Sequence, residues 1–198
     1  MKRGSHSLAL AILGLCVLSA ATASAQPTDV LKINYFANNG VAGAPDGTVR
    51  ITNPGTAGEG NLCALVYVFA NDQQLNECCG CLTTPDGLRT LSISKDLNSN
   101  PLTGVVQANG VIAIVSSTLN GSPCDATFPS SDASTIPALR AWATHIQNKV
   151  GTAFPITETE FSAATLSDGQ FLTDLAESCR FIVRLGSGHG ICTCGTGD

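Results

Sequence analysis

Charge is scarce in this sequence: Lys, Arg, Asp and Glu make up 13% of its 198 residues, and no run of basic residues occurs. The ten Lys and Arg are outnumbered by fifteen Asp and Glu. Such a surface repels phosphate backbones and anionic lipid headgroups, which argues against nucleic-acid binding. Past the N-terminal segment there is no apolar stretch of the ~18 residues that a bilayer span needs. Also missing are the G-x-S-x-G elbow of a hydrolase, the EF-hand and nonapeptide calcium spacings, and the common zinc modules. Few charges among many Gly, Ser, Thr and Asn instead suit a secreted, β-rich surface.

The start of the chain agrees. Met1-Lys2-Arg3 is basic, Leu8 to Leu18 is a short apolar run, and Ala23-Ser24-Ala25 supplies an A-x-A site. Together these predict a secretory signal peptide over residues 1–25, cleaved near Ala25. Cys16 follows Leu15 where a lipoprotein needs a small residue, so it reads as part of the apolar core. Residues 26–198 are about 173 residues, enough for one well-cored domain. The expected location is extracellular or periplasmic.

Eight cysteines follow the cleavage site: Cys63, Cys78, Cys79, Cys81, Cys124, Cys179, Cys192 and Cys194. An even count in an exported chain predicts disulfides. Cys78 and Cys81 match C-x-x-C, but a redox pair needs a helix beginning there, and "LTTPDG" is a turn. Thiolate metal binding by the cluster with Cys192 and Cys194 is the alternative, although exported thiols oxidise unless metal arrives first. Neighbouring cysteines rarely bond each other. If none of the cluster bonds internally, its partners come from Cys63, Cys124, Cys179, Cys192 and Cys194. The pairing preferred joins it to Cys179, Cys192 and Cys194, with Cys63 to Cys124, one of about 105 pairings between which sequence alone does not decide. "NECCGC" itself reads as a tethered loop between strands.

Residues 29–36 alternate, with Leu31, Ile33 and Tyr35 expected on the buried face and Lys32 and Asn34 on the polar one. "PDG" at 45–47 and 85–87 predicts two turns with Gly at positive φ, each followed by a strand, "TVRIT" and "LRTLSIS". "NLCALVYVFA" (61–70) is apolar on both faces and should be covered on both sides. "VVQA-NG-VIAIV" (105–115) reads as a hairpin with a type I′ turn. "ALRAWATHIQ" and "ITETEF" read as two further strands, although the first is ambiguous by period.

A helix is expected over 168–185. Ser167 and Gln170 form a capping box, and Leu166 and Phe171 a staple. Leu172, Leu175, Ala176, Cys179, Ile182 and Val183 form its apolar stripe, and Gly186 ends it. The fold predicted is mainly β: an antiparallel sandwich, immunoglobulin-like in outline, with this amphipathic helix packed on the outside of one sheet and disulfides stapling it.

Candidate chemistry is thin. Glu158 and Glu160 share a strand face, as glycosidase carboxylates do, but so do the acids of any solvated face. His189 lies near Ser187 and Asp198 within a glycine-rich turn. His145 reads as a packing or rim histidine, and Asn71, Asp72, Asp125 and Asp132 as loop oxygens with no calcium-site spacing. No catalytic, cofactor-binding or metal-binding residue is assigned, and no cofactor is expected.

"NLCALVYVFANDQQLNECCGC", "TPDGLRTLS" and "GHGICTCG" together resemble a group of signal-bearing, cysteine-rich secreted bacterial proteins. That resemblance implies one cysteine-framed domain and transfers no catalytic residue. The function expected is a secreted, non-enzymatic module for structure, adhesion or binding at the cell surface or outside it. Its partners would be other surface or extracellular proteins or glycans, with no nucleic acid and no membrane span. An exported metal-binding protein and a small secreted hydrolase are the alternatives.

Overall fold

The computed structural model describes residues 30–56, 58, 60–119, 124–128, 134–164 and 169–194. The expected signal peptide lies outside them, as do Ser167, Leu166 and Asp168 at the helix start. Two antiparallel sheets face each other. One contains β1 (Leu31–Phe36), β3 (Leu62–Ala70), β4 (Leu75–Thr83), β6 (Gly110–Thr118) and β9 (Ser162–Ala164), in the order β4-β3-β6-β1-β9. The other contains β2 (Thr48–Thr52), β5 (Leu88–Ser92), β7 (Arg140–Ile146) and β8 (Ile156–Glu160), in the order β5-β2-β7-β8. A single described helix, α1 (Gly169–Leu185), follows.

Between the sheets, Ala64, Val66 and Val68 of β3 and Ile112 and Ile114 of β6 pack against Val49, Ile51, Leu91, Ala141 and Ala143. On the outer face, Leu65 and Tyr67 meet Leu172, Leu175, Cys179 and Ile182 of α1. Strand β3 is thus apolar on both faces because one face lies in the sandwich and the other under a helix. Gly186 ends the helix at φ +63°. Val183 is exposed despite its place in the stripe: at the last turn Ile182, next to Gly190, is the buried side chain. Gln170 Nε2 donates forward to Asp174 Oδ1 at 2.7 Å, an i,i+4 pair.

Four expectations are corrected. On β1, Leu31, Lys32 and Phe36 are buried, while Ile33 and Tyr35 are 40% and 51% exposed. Lys32, Asn34 and Phe36 face the sandwich interior opposite Ile114, Ile112 and Gly110, and on the outer face the helix cluster takes in only Leu31. The 105–115 hairpin is absent: residues 105–108 form no strand, and β6 pairs instead with β3 and β1. Gly110 is required by close approach, since a Cβ there would lie 2.3 Å from the Phe69 carbonyl oxygen and 2.7 Å from the Phe36 ring. At the second "PDG", Asp86 takes the positive φ (58°) and Gly87 does not; its N–H donates to Thr84 O at 2.8 Å. At the first, Gly47 has no positive φ either, and the Asp46 carboxylate accepts from Ser92 Oγ and from Ser94 N at 3.0 Å. The strands after the two turns pair with each other.

The last correction is "NECCGC", which is the middle of strand β4. Its residues alternate between faces. Cys78 points outward and bonds Cys179 of the helix. Cys79 and Cys81 point inward and bond Cys192 and Cys194. Gly80 leaves room for another segment: a Cβ there would lie 2.5 Å from the backbone of Cys124, which is bonded to Cys63. The tail also closes the edge of β4, because Cys78 N donates to Gly190 O and Cys192 N to Cys78 O, at 3.1 and 3.2 Å. An edge strand that would otherwise invite pairing with another chain is covered.

Candidate functional site: a groove beside the helix

The second half of α1, the β3–β4 turn and the loop 98–107 enclose a groove of about 490 Å³. Phe181 and Leu102, 63% and 70% exposed, stand in its wall with Leu75, Pro101, Ile182 and Leu185. The charged residues lining it are Asp72 and Glu177, with no Lys or Arg. A largely apolar cleft with a few convergent polar groups is what small-ligand sites share.

Local chemistry holds each wall. In the β3–β4 turn, Gln73 takes φ 70° and Asp72 Oδ1 accepts from Gln74 N at 3.1 Å. In the loop, Asn100 Oδ1 accepts from the N–H groups of Leu102 and Thr103 at 2.9 and 3.0 Å, an Asx turn. Gly104 has φ +69° and lies under the His189 ring, where a Cβ would come within 2.9 Å. Ser187 Oγ donates to the Pro101 carbonyl. The "GSGHG" turn is therefore a brace for the groove wall.

Behind the groove lies a polar network. Asn76 Nδ2 donates to Asn98 Oδ1 (3.0 Å), which also accepts from Gln107 N (2.8 Å), and Asn98 Nδ2 donates to Gln107 O (2.8 Å). Asn76 Oδ1 is buried with no hydrogen-bond partner, an acceptor left unmatched inside the fold. Next to it Glu77 is 3% exposed, and its pKa is pushed up to about 7. Burial is the main cause; hydrogen bonds from Ser99 oppose it and the Asp96 carboxylate adds to it.

The residues singled out by sequence are scattered. Glu158 and Glu160 share an exposed sheet face, each paired with an arginine: Arg50 at 2.7 Å and Arg140 at 2.8 Å. Arg140 also lies over Trp142 at 5.5 Å. The His189 ring packs on Gly104, and the backbone N–H of His189 donates to Ser187 Oγ at 3.2 Å; Asp198 lies outside the described residues. His145 is buried, with Nε2 2.6 Å from Thr159 Oγ1 and its ring stacked on Tyr35 at 4.1 Å. Burial lowers its pKa, partly offset by the Tyr35 backbone. Asp72 lines the groove, whereas Asp125 lies near Tyr67, whose pKa its charge helps raise, and Asp132 is outside the described residues. Among the described residues the one group with metal-ligand proximity is Cys79, Cys81 and Cys194, and all three sulfurs are spent in disulfides.

Sequence reasoning missed the groove, and its signal was faint. Phe181 is an apolar residue off the helix's buried stripe, and "NPLTG" is an Asx turn beside a proline. Neither says that the two meet. No helix among the described residues is long and apolar enough to cross a membrane. No family model, curated protein or solved structure matches this chain.

Proposed function

We propose that this protein is exported and works without catalysis, as a disulfide-fastened binding module outside the cytosol. Its ligand lies in the groove beside α1. The carrying observation is the groove's lining: apolar walls, two carboxylates and no basic residue. That chemistry favours a small ligand, or an exposed group on a surface protein or glycan, with an apolar body and a cationic or hydrogen-bond-donating head. Four disulfides, three of which tie helix and tail to one strand, suit an oxidising compartment.

Phenethylamine and phenylacetate, one body with opposite head charges, make suitable probes in an amide NMR titration of the exported protein. The amine should shift amides of residues 72–76, 100–107 and 177–185, more strongly than the acid does. Phe181→Ser should weaken that response severalfold. Equal responses to both probes, or shifts confined to other surfaces, would sink the groove assignment. Export is tested separately: deleting residues 1–25 should leave the protein in the cytosol with free thiols.

A further inference from the structure

We infer a second binding site, for a small carboxylate, in a cavity at one end of the sandwich where Lys32 faces inward. The cavity measures about 390 Å³. Lys32 enters it from β1, where it pairs with Ile114 on one side and Ala163 of β9 on the other. The chain passes from β8 into β9 at Phe161, whose N–H donates to Ala141 O at 2.8 Å, and this corner closes the flank. Lys32 is consequently 9% exposed. Among the described residues none forms a hydrogen bond or ion pair with its ammonium.

An ammonium with no anionic partner among the described residues can pair with an incoming carboxylate. Lys32 buries its stem along the sandwich while its head group stays in contact with the cavity. The neighbouring charges do not compensate it. Glu160 Oε1 is taken by Arg140, whose Nε and Nη2 donate to it at 3.0 and 2.8 Å. That pair is neutral as a unit, so among the described residues the cavity retains one unmatched positive charge.

The rest of the lining defines the ligand's body. Pro54, Pro137 and Leu139 are apolar walls, and Thr56 adds a hydroxyl. An anion with a compact, partly apolar frame fits: its carboxylate meets Lys32 and its body packs between the prolines. Such a carboxylate could belong to a free aromatic acid or to an acidic sugar, and the shared chemistry is the monoanion. The site is separate from the helix groove, whose charged residues are acidic.

The test is an amide NMR titration of the exported protein with benzoate and D-glucuronate, each against its uncharged counterpart, benzamide and D-glucose. At least one acid should shift amides of residues 31–33, 54–56, 138–140 and 160, and its neutral counterpart should bind at least tenfold more weakly. Comparing the two acids separates an aromatic source from a sugar source. Lys32→Met, which keeps the buried stem, should abolish the response, and Lys32→Arg should retain part of it. Absence of shifts at these amides with both acids overturns the site, as does equal binding of acid and neutral probe. Retention of binding by Lys32→Met also overturns it. The acid-against-neutral comparison needs no variant, and the amides that move differ from those of the groove.

Discussion

At the scale of single residues, Glu77 and His145 make the fold's stability depend on pH in opposite directions. Below pH 4.5 Glu77 is protonated whether the chain is folded or not, and folding loses nothing on its account. As pH rises toward 7 the folded form keeps a proton that the unfolded chain releases, so stability falls. The shift corresponds to a loss on the order of 3 kcal/mol by neutral pH. Urea unfolding of the wild type and Glu77→Gln at pH 5 and pH 8 should show the variant gaining relative stability at the higher pH; a gap that does not change with pH would refute the buried-acid account. His145 acts the other way, since its neutral form is favoured in the fold and stability is lost as pH falls through the ordinary histidine range. Gly110 is the other sensitive residue. Gly110→Ala puts a methyl 2.3 Å from a backbone oxygen and should cost about 1–3 kcal/mol in chemical denaturation.

Among the elements, β4 organises the rest. Because adjacent strand residues point to opposite faces, two neighbouring cysteines can grip different parts of the chain without competing. Replacing Cys78 and Cys179 together by alanine should cost about 2–4 kcal/mol and raise hydrogen exchange in α1 above that in β3. Protection of the helix equal to that in the wild type would show that packing of Leu172, Leu175 and Ile182 suffices to hold it. Phe181→Ser makes the contrasting case, because that side chain is exposed: its unfolding free energy should change by no more than about 0.5 kcal/mol while groove binding weakens.

For the whole molecule, the disulfide count and the two-layer design have one consequence in common. The intact protein, measured unreduced, should be about eight mass units lighter than the form with those eight cysteines reduced, and reduction should loosen helix and tail together. Much of this was legible beforehand. The two-faced apolar run of β3 required cover on both sides, the strands after the two "PDG" turns lie where they were expected, and the helix stripe pointed to a sheet. The groove was not legible, because Phe181 and Leu102 are far apart in sequence and each alone reads as an ordinary exposed apolar residue. The residues themselves determined periodicity, turn positions, an even set of cysteines and a helix with one apolar face. Only the tertiary structure decided which face of β1 is inside, that Gly110 opens a strand, and that "NECCGC" is a strand gripping in two directions. The reason is symmetry: an alternating strand offers two faces, and period alone does not say which receives cover. Here that cover comes from a helix more than a hundred residues further along the chain, and its reach leaves Ile33 and Tyr35 in the open and Lys32 within.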